Sequence, residues 1–191
     1  MNDHMGNAYS FVDDLIRWEG SVPHMYRDTL GYVTVGVGNL VHDGLDAVSL
    51  PFLVDGDRRA TPEEIGDDFL RVIALAKGMP ARAYRAPNPP RVELSQASIG
   101  DLLRNRLDRE FLPGIRRLLP DFDSYPEPAQ SALVDLAFNV GVSGLSTFSH
   151  LVSACRGRNW ASAAQSCHVK GVREERHDWR VEKFIEASRT S

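Results

Sequence analysis

Two carboxylates and one hydroxyl at short spacing carry the chemistry that this sequence offers. Glu19 closes an amphipathic stretch, Asp28 follows nine positions later, and Thr34 follows six positions after that. A protonated carboxyl can give a proton to a leaving oxygen, while an ionised carboxylate can orient water or attack an anomeric carbon. We therefore expect Glu19 to be the proton donor and Asp28 its ionised partner. Such a pair suits the cleavage of a bond between two sugars.

The residues around this trio predict a helix followed by a tight hairpin. Apolar residues recur at helical spacing from Phe11 to Trp18, and Gly20 is of the type that ends helices. Between Gly31 and Gly38, valines alternate with a tyrosine and a threonine, which is typical of short strands joined by glycine-containing turns. A helix end facing such a hairpin would hold two carboxylates across a groove.

This stretch resembles the phage-type lysozymes, or endolysins, of glycoside hydrolase family 24. The family pattern is a Glu followed by Gly, an Asp after the Glu, a Thr after the Asp, and an aromatic-rich hairpin around the Thr. The chain matches that pattern in order and spacing through Glu19-Gly20, Tyr26-Arg27-Asp28-Thr29, Gly31-Tyr32 and Thr34-Val35-Gly36-Val37-Gly38.

The resemblance implies a lysozyme-like α+β fold that is mainly helical, with a helical C-terminal lobe and a small β-hairpin lobe flanking the active-site cleft. It implies one domain over residues 1–191, with the N-terminal helix and hairpin lobe at about 8–90 and the helical lobe at about 91–187. It also implies a muramidase that hydrolyses, with inversion, the β-1,4 bond between N-acetylmuramic acid and N-acetylglucosamine in peptidoglycan. Inversion calls for carboxyl groups about 6.5–9.5 Å apart.

The same resemblance assigns roles to individual side chains. Glu19 becomes the general acid and Asp28 the group that orients or activates water. Thr34 is expected to hold the attacking water together with Asp28. Taken alone, the three would be an ordinary helix-end acid, a turn residue and a strand residue, and their combination favours catalysis. Tyr26 and Tyr32 are candidates to stack on or hydrogen-bond a sugar, with packing in the core or hairpin as the alternative.

Two further substrate-binding candidates come from the C-terminal half. The run Phe138-Asn139-Val140-Gly141 resembles the family's turn into its next core helix, which makes Asn139 a candidate. The pair Asn159-Trp160 likewise resembles a helix that begins with Trp. Three arginines lie where the family keeps a basic stretch near the cleft, and Arg176 is taken as the second candidate. For each of them individually (Arg173, Arg176, Arg180), solvation at the surface is the favoured interpretation.

The middle of the chain, from Val41 to Pro90, looks enlarged relative to shorter family members. Its acidic residues at 42–46 and 55–57 lack the spacing of a calcium loop, and they predict solvated turns. A helix is predicted to begin at Thr61-Pro62, with acids in its first turn, and to end by Gly78.

Two helical stretches are predicted beyond this segment. One begins at Leu94-Ser95, is interrupted at Pro113 and ends at Pro120. The other follows Ser124, continues to Val140 and is the most apolar helix of the chain. Its apolar residues occur all round the helix, which predicts a position at the centre of a helical lobe.

Composition narrows the class of protein. At 191 residues, 42 % hydrophobic and 25 % charged, the chain is typical of a globular domain with a real core. A net charge of −4 argues against a nucleic-acid partner, which would call for a basic field. Basic side chains are concentrated in the C-terminal half, so a local positive face could coexist with the negative total.

Cysteine and histidine usage predicts neither a disulfide framework nor a metal. Cys155 and Cys167 are the two cysteines, and reduced thiols in or near a core are favoured over a single bridge formed after export. The histidines lack metal-ligand spacing, and neither a phosphate loop nor a Gly-x-Ser-x-Gly element is present. We therefore expect no metal and no cofactor.

The N-terminal residues are polar, and the sequence contains no apolar run of about twenty residues, so neither a signal peptide nor a membrane span is expected. Synthesis in the cytoplasm is predicted, with action on peptidoglycan in the periplasm or cell wall after release or delivery.

Three other functions stay open. One is a lysozyme-fold antibacterial toxin that is delivered into competitor bacteria and blocked in its producer by an immunity or inhibitor protein. Another is a glycan-binding module without catalysis. A lytic transglycosylase, a third option, would need no Asp to position water.

Overall fold

The computed structural model describes residues 10–190, which form a mainly helical α+β protein, as the sequence predicts, with two small antiparallel sheets. The helices are α1 (Ser10–Glu19), α2 (Gly44–Ser49), α3 (Pro62–Ala74), α4 (Gln96–Arg106), α5 (Leu112–Leu118), α6 (Glu127–Ser146), α7 (Ser149–Arg156), α8 (Trp160–Gln165) and α9 (Glu174–Arg189). The strands are β1 (Val22–Arg27), β2 (Val33–Gly36), β3 (Asn39–Val41), β4 (Phe52–Val54), β5 (Arg58–Arg59) and β6 (Val92–Leu94). Short 3₁₀ turns occur at Ala81–Tyr84 and Phe122–Ser124, and a π-helical turn at Leu107–Phe111.

The chain divides into two compact units. One comprises the described residues up to Trp18 together with those from Asn105 onward, and the other spans Glu19–Arg104. In the first unit, the ring of Trp18 meets that of Trp179 in α9 edge to face, with centroids 5.8 Å apart. Helix α1 is therefore grouped with the C-terminal helices, whereas the sequence places it in one lobe with the hairpin.

The unit Glu19–Arg104 contains both sheets. The first has the order β1-β2-β3, and its β1–β2 hairpin is the one that the sequence predicts. All four residues of β2 are buried, so this strand is covered on both faces. The second sheet has the order β5-β4-β6. Strands β4 and β5 lie in the segment from Val41 to Pro90, for which the sequence predicts no strands, and β6 includes Leu94, where it predicts the start of a helix. The strands of this sheet have two or three residues each, too short for a period-two pattern to be recognised.

Helix α3 begins where its sequence predicts. The Thr61 hydroxyl accepts the N–H of Glu64 at 3.2 Å, and the Glu64 carboxylate accepts the N–H of Thr61 at 2.8 Å. This reciprocal pair is a capping box, with Pro62 in the first turn. A hydrogen bond from Arg58, followed by that from the Thr61 backbone, lowers the pKa of the Glu64 carboxyl to about 2.

One of the predicted solvated turns is wrong. Residues 42–46 include the start of α2, where the Asp43 carboxylate accepts the N–H of Asp46 at 2.9 Å as a helix cap. The helix has six residues and buries Ala47, so it lacks the apolar periodicity by which longer helices are recognised. The second acidic turn, at 55–57, is confirmed and joins β4 to β5.

The helical unit is built around α6, as predicted. Seven consecutive residues, 131–137, are buried in this helix. The predicted break at Pro113 is confirmed, since a π-helical turn ends α4 and Pro113 lies in the first turn of α5. The predicted turn at Gly141 is a break inside α6, where φ is 74° and ψ is 160°. Asn159 caps α8 by accepting the N–H of Ser162 at 3.0 Å.

The predicted surface positions of Arg176 and Arg180 are wrong. The two side chains are 7 % and 0 % exposed, and both bind Asp135 of α6, which is 1 % exposed. Arg176 Nη2 lies 2.6 Å from Asp135 Oδ1, and Arg180 Nε donates to Oδ2. Residues four apart share one face of a helix, so α9 presents both guanidinium groups to the same carboxylate. Arg173 is exposed, as predicted.

Among the described residues, no single helix combines the length and the apolar character that crossing a membrane would require.

Removing the buried carboxylate should destabilise the protein strongly. We expect Asp135→Ala to lower the free energy of unfolding by about 3–5 kcal/mol, because two buried guanidinium groups would lose the carboxylate that both of them bind. Urea denaturation followed by tryptophan fluorescence measures this. The control, Asp123→Ala, breaks a surface pair with Arg116 and should cost less than about 1 kcal/mol. Equal losses in the two variants would contradict the prediction.

Candidate active site

Glu19 is the last residue of α1, and its side chain is exposed. Gly20 follows with φ of +73°, which turns the chain out of the helix toward β1. The predicted helix end at this acid is therefore confirmed. An exposed carboxylate at a helix end is accessible to a large substrate without any rearrangement of the core.

Asp28 lies in the turn between β1 and β2 and organises that turn. Its Oδ1 accepts the backbone N–H of Gly31 at 2.7 Å and that of Tyr32 at 2.8 Å. Its own N–H donates to the carbonyl of Tyr32 at 3.0 Å. Both of these side-chain hydrogen bonds are accepted by Oδ1, and the carboxylate is half-buried. The carboxylate is thereby held in one orientation by the main chain.

Thr34 lies on β2 and is 3 % exposed. Its Cα is paired with that of Tyr26 on β1 and that of Leu40 on β3. Residues directly opposite one another share a sheet face, so these three side chains lie on the same face. The Thr34 hydroxyl lies 3.5 Å from the carbonyl oxygen of Tyr32, which is a long distance for a hydrogen bond.

The two candidate tyrosines differ in environment. Tyr26 is half-buried, and burial, followed by the neighbouring Asp28 carboxylate, raises the pKa of its phenol. The phenol therefore keeps its proton, and its capacity to donate a hydrogen bond, over a wider pH range than a free tyrosine. Tyr32 is 60 % exposed, so it does not belong to the core. It offers a ring face to a sugar.

Asn139 and Arg176 belong to the other unit. Asn139 is exposed in α6, two residues before the break at Gly141. Arg176 is buried and paired with Asp135, so its guanidinium stabilises the packing of α9 on α6. The structure therefore brings Tyr26, Asp28 and Thr34 together on one hairpin, with Glu19 in the same unit.

Arg27 is a residue of this site that the sequence does not single out. Its Nη1 donates to the carbonyls of Ile73 at 3.0 Å and Leu75 at 2.7 Å, and its Nε donates to that of Gly31 at 3.2 Å. The first two acceptors are 46 and 48 residues away along the chain. No local pattern reveals such a contact, although a cation directly before a candidate catalytic Asp is a signal worth testing.

A separate cavity of about 240 Å³ lies in the same unit, beside α3, and includes none of the three predicted catalytic residues. Val54 and Val92 form part of its wall, and Asp68 and Arg71 supply charged groups. Arg71 Nε donates to Asp68 Oδ1 at 2.9 Å, while Asp68 Oδ2 is buried without a hydrogen-bond partner among the described residues. Burial raises the pKa of Asp68 against the opposing effect of Arg71.

The two cysteines are buried and free. Burial, followed by the neighbouring Cys167, raises the pKa of the Cys155 thiol to about 12, and burial raises that of Cys167 to about 11. Such thiols are inert at neutral pH, since the thiolate is the reactive form. Within residues 10–190, no group of three or more His, Cys, Asp or Glu side chains is placed to hold a metal ion.

No protein-family model matches this chain, and no curated protein matches it significantly. A function for this site must therefore be argued from its residues and their positions.

Two substitutions separate the turn-forming role of Asp28 from any chemical role. Asp28→Asn keeps an amide oxygen for the N–H groups of Gly31 and Tyr32, whereas Asp28→Ala removes the acceptor. We expect the Ala variant to be less stable than the Asn variant by about 1–2 kcal/mol, since two hydrogen bonds are lost. Urea denaturation of both variants measures the difference. Equal stabilities would show that these bonds do not hold the turn.

Proposed function

We propose that this protein is a lysozyme-like peptidoglycan hydrolase, a muramidase that cleaves the β-1,4 bond between N-acetylmuramic acid and N-acetylglucosamine. The observation that carries the proposal is the anchored carboxylate of Asp28. It stands in a hairpin turn at the family spacing from Glu19 and Thr34, and two backbone N–H groups orient it. A carboxylate that positions water must have a defined orientation, because the water has to approach the anomeric carbon from one direction.

The reaction needs one proton donor and one group that holds water. Glu19 gives its proton to the glycosidic oxygen as the bond from that oxygen to the anomeric carbon breaks. A water held by Asp28 Oδ2, with the help of the Thr34 hydroxyl, forms the new bond to the same carbon and passes its proton to Asp28. Attack from the face opposite the leaving group inverts the configuration, as the resemblance implies.

The surroundings of the hairpin suit a polysaccharide. Tyr32 exposes most of its ring, and Tyr26 holds a phenol proton beside Asp28. Leu40, on the same sheet face as Thr34, is 48 % exposed. Exposed aromatic and aliphatic surface beside polar groups is what the alternating apolar and hydroxylated faces of a sugar require.

Loss of the proton donor should abolish activity and leave the fold intact. We expect Glu19→Gln to lower the rate of peptidoglycan clearing by at least about 100-fold, since the amide has no proton to give at this position. Because the Glu19 side chain is exposed, the circular dichroism spectrum and thermal midpoint of the variant should match those of the wild-type protein. A turbidity assay on purified peptidoglycan gives the rate.

The matched control is Glu63→Gln, which removes an exposed carboxylate from the first turn of α3. It should clear peptidoglycan at the wild-type rate. Clearing by Glu19→Gln at that same rate would rule out the proposed mechanism.

Product analysis tests the bond and the class of reaction. We expect mass spectrometry of digested peptidoglycan to show products that have gained one water and end in reducing N-acetylmuramic acid. Nuclear magnetic resonance of fresh product should show the α anomer first, because inversion of a β bond gives that anomer. Anhydro-sugar products would indicate a lytic transglycosylase instead. Binding without cleavage would indicate a glycan-binding module.

A further inference from the structure

The turn that carries Asp28 is tied to the C-terminal end of α3. Arg27 Nη1 reaches the carbonyls of Ile73 and Leu75, and its Nε reaches the carbonyl of Gly31 inside the turn. One guanidinium group therefore joins the helix end to the turn. The last carbonyls of a helix have no partner within the helix and carry partial negative charge, so a cation is a favourable cap for them.

A second tie runs through the main chain. The carbonyl of Asp28 accepts the N–H of Gly31 at 3.1 Å and that of Gly78 at 3.2 Å. Gly78 follows α3 by four positions. The main chain of Asp28 thus contacts the turn that follows α3, while the Arg27 side chain contacts the end of the helix itself, and the hairpin turn is held by both.

The geometry of the turn leaves little room for another arrangement. Gly31 has φ of +99°, which L side chains rarely adopt, and a Cβ there would lie 3.2 Å from Arg27 Nη2 and 3.2 Å from Lys77 Cδ. The Gly31 N–H is also one of the two donors to Asp28 Oδ1. The residue that touches the guanidinium is therefore the one that orients the carboxylate.

We propose that Arg27 is a positioning residue, which orients the Asp28 carboxylate by anchoring its turn to the end of α3. The proposal rests on the proposed hydrolase function, in which Asp28 holds the attacking water. It gives the enlarged middle segment a role, since α3 supplies the acceptors. A planar guanidinium with several N–H donors suits three separate carbonyls, and a lysine ammonium cannot span them in the same way.

The experiment compares Arg27→Gln and Arg27→Lys with Arg82→Gln, which alters an exposed arginine on the turn Ala81–Tyr84. With soluble peptidoglycan fragments, we expect Arg27→Gln to lower kcat about 10- to 100-fold with KM within about 2-fold of the wild type, because the water-holding group loses its orientation. Arg27→Lys should recover part of the loss, and Arg82→Gln should behave like the wild type. Wild-type kcat in Arg27→Gln would overturn the proposal.

A double-mutant cycle separates positioning from general destabilisation. If Arg27 acts through Asp28, Arg27→Gln should cause no further loss of kcat in an Asp28→Asn background. A loss of the same size in both backgrounds would show that Arg27 acts elsewhere, and would overturn the proposal.

Amide hydrogen exchange keeps the test independent of activity. In Arg27→Gln, the amides of Gly31 and Tyr32 should exchange at least about 10-fold faster than in the wild type, while core amides of β2 keep their rates. Unchanged exchange at Gly31 and Tyr32 would overturn the positioning role. If the wild-type protein does not cleave peptidoglycan but exchange is accelerated in Arg27→Gln, the proposed function is wrong. The structural role of Arg27 in holding the turn is then still supported.

Discussion

The candidate site depends on the two hydrogen bonds that Asp28 Oδ1 accepts from the main chain. A carboxylate on a hairpin turn would ordinarily sample several rotamers, and ordering it costs conformational entropy. Here the turn and the side chain determine one another. The Gly31 N–H donates to both the carbonyl and Oδ1 of Asp28, and Tyr32, whose carbonyl accepts the Asp28 N–H, donates its own N–H to Oδ1. The backbone conformation of residues 28–32 thus fixes the direction of Asp28 Oδ1.

The helical unit depends on a different interaction, a buried cluster of one carboxylate and two guanidinium groups. Asp135 lies near the middle of α6 among residues that are otherwise apolar or small, and two arginines of α9 converge on it. Desolvating three charges is costly, and the attraction between them offsets that cost only when the geometry is good. Such a centre does little for stability compared with apolar packing, but it specifies how α9 is placed against α6. A slip of one turn along either helix would leave charges buried without partners.

The sequence predicted well those features that depend on residues close together in the chain. The end of α1 at Glu19 and Gly20, the capping box at Thr61, and the break at Pro113 are all local effects of side-chain type on the backbone. The α+β class was expected from the family resemblance of the stretch around Glu19, Asp28 and Thr34. The carboxylates and the hydroxyl of the candidate site were found through their spacing, which is a local signal as well.

What the sequence did not reveal depends on contacts between distant residues. Arg176 and Arg180 read as solvated because most arginines are, and their burial depends on Asp135, more than forty residues earlier. Arg27 finds its acceptors on α3 for the same reason. The strands β4 to β6 are too short to carry a pattern, and they exist because they pair with one another.

The hydrogen bonds between Arg27 and the end of α3 make the hairpin that carries Asp28 dependent on a distant part of the chain. The hairpin is assembled on carbonyls contributed by a stretch that looks, in the primary structure, like an optional insertion. Deleting the middle segment, or grafting the hairpin onto a shorter protein, would remove the carbonyls of Ile73 and Leu75 to which the Arg27 guanidinium donates.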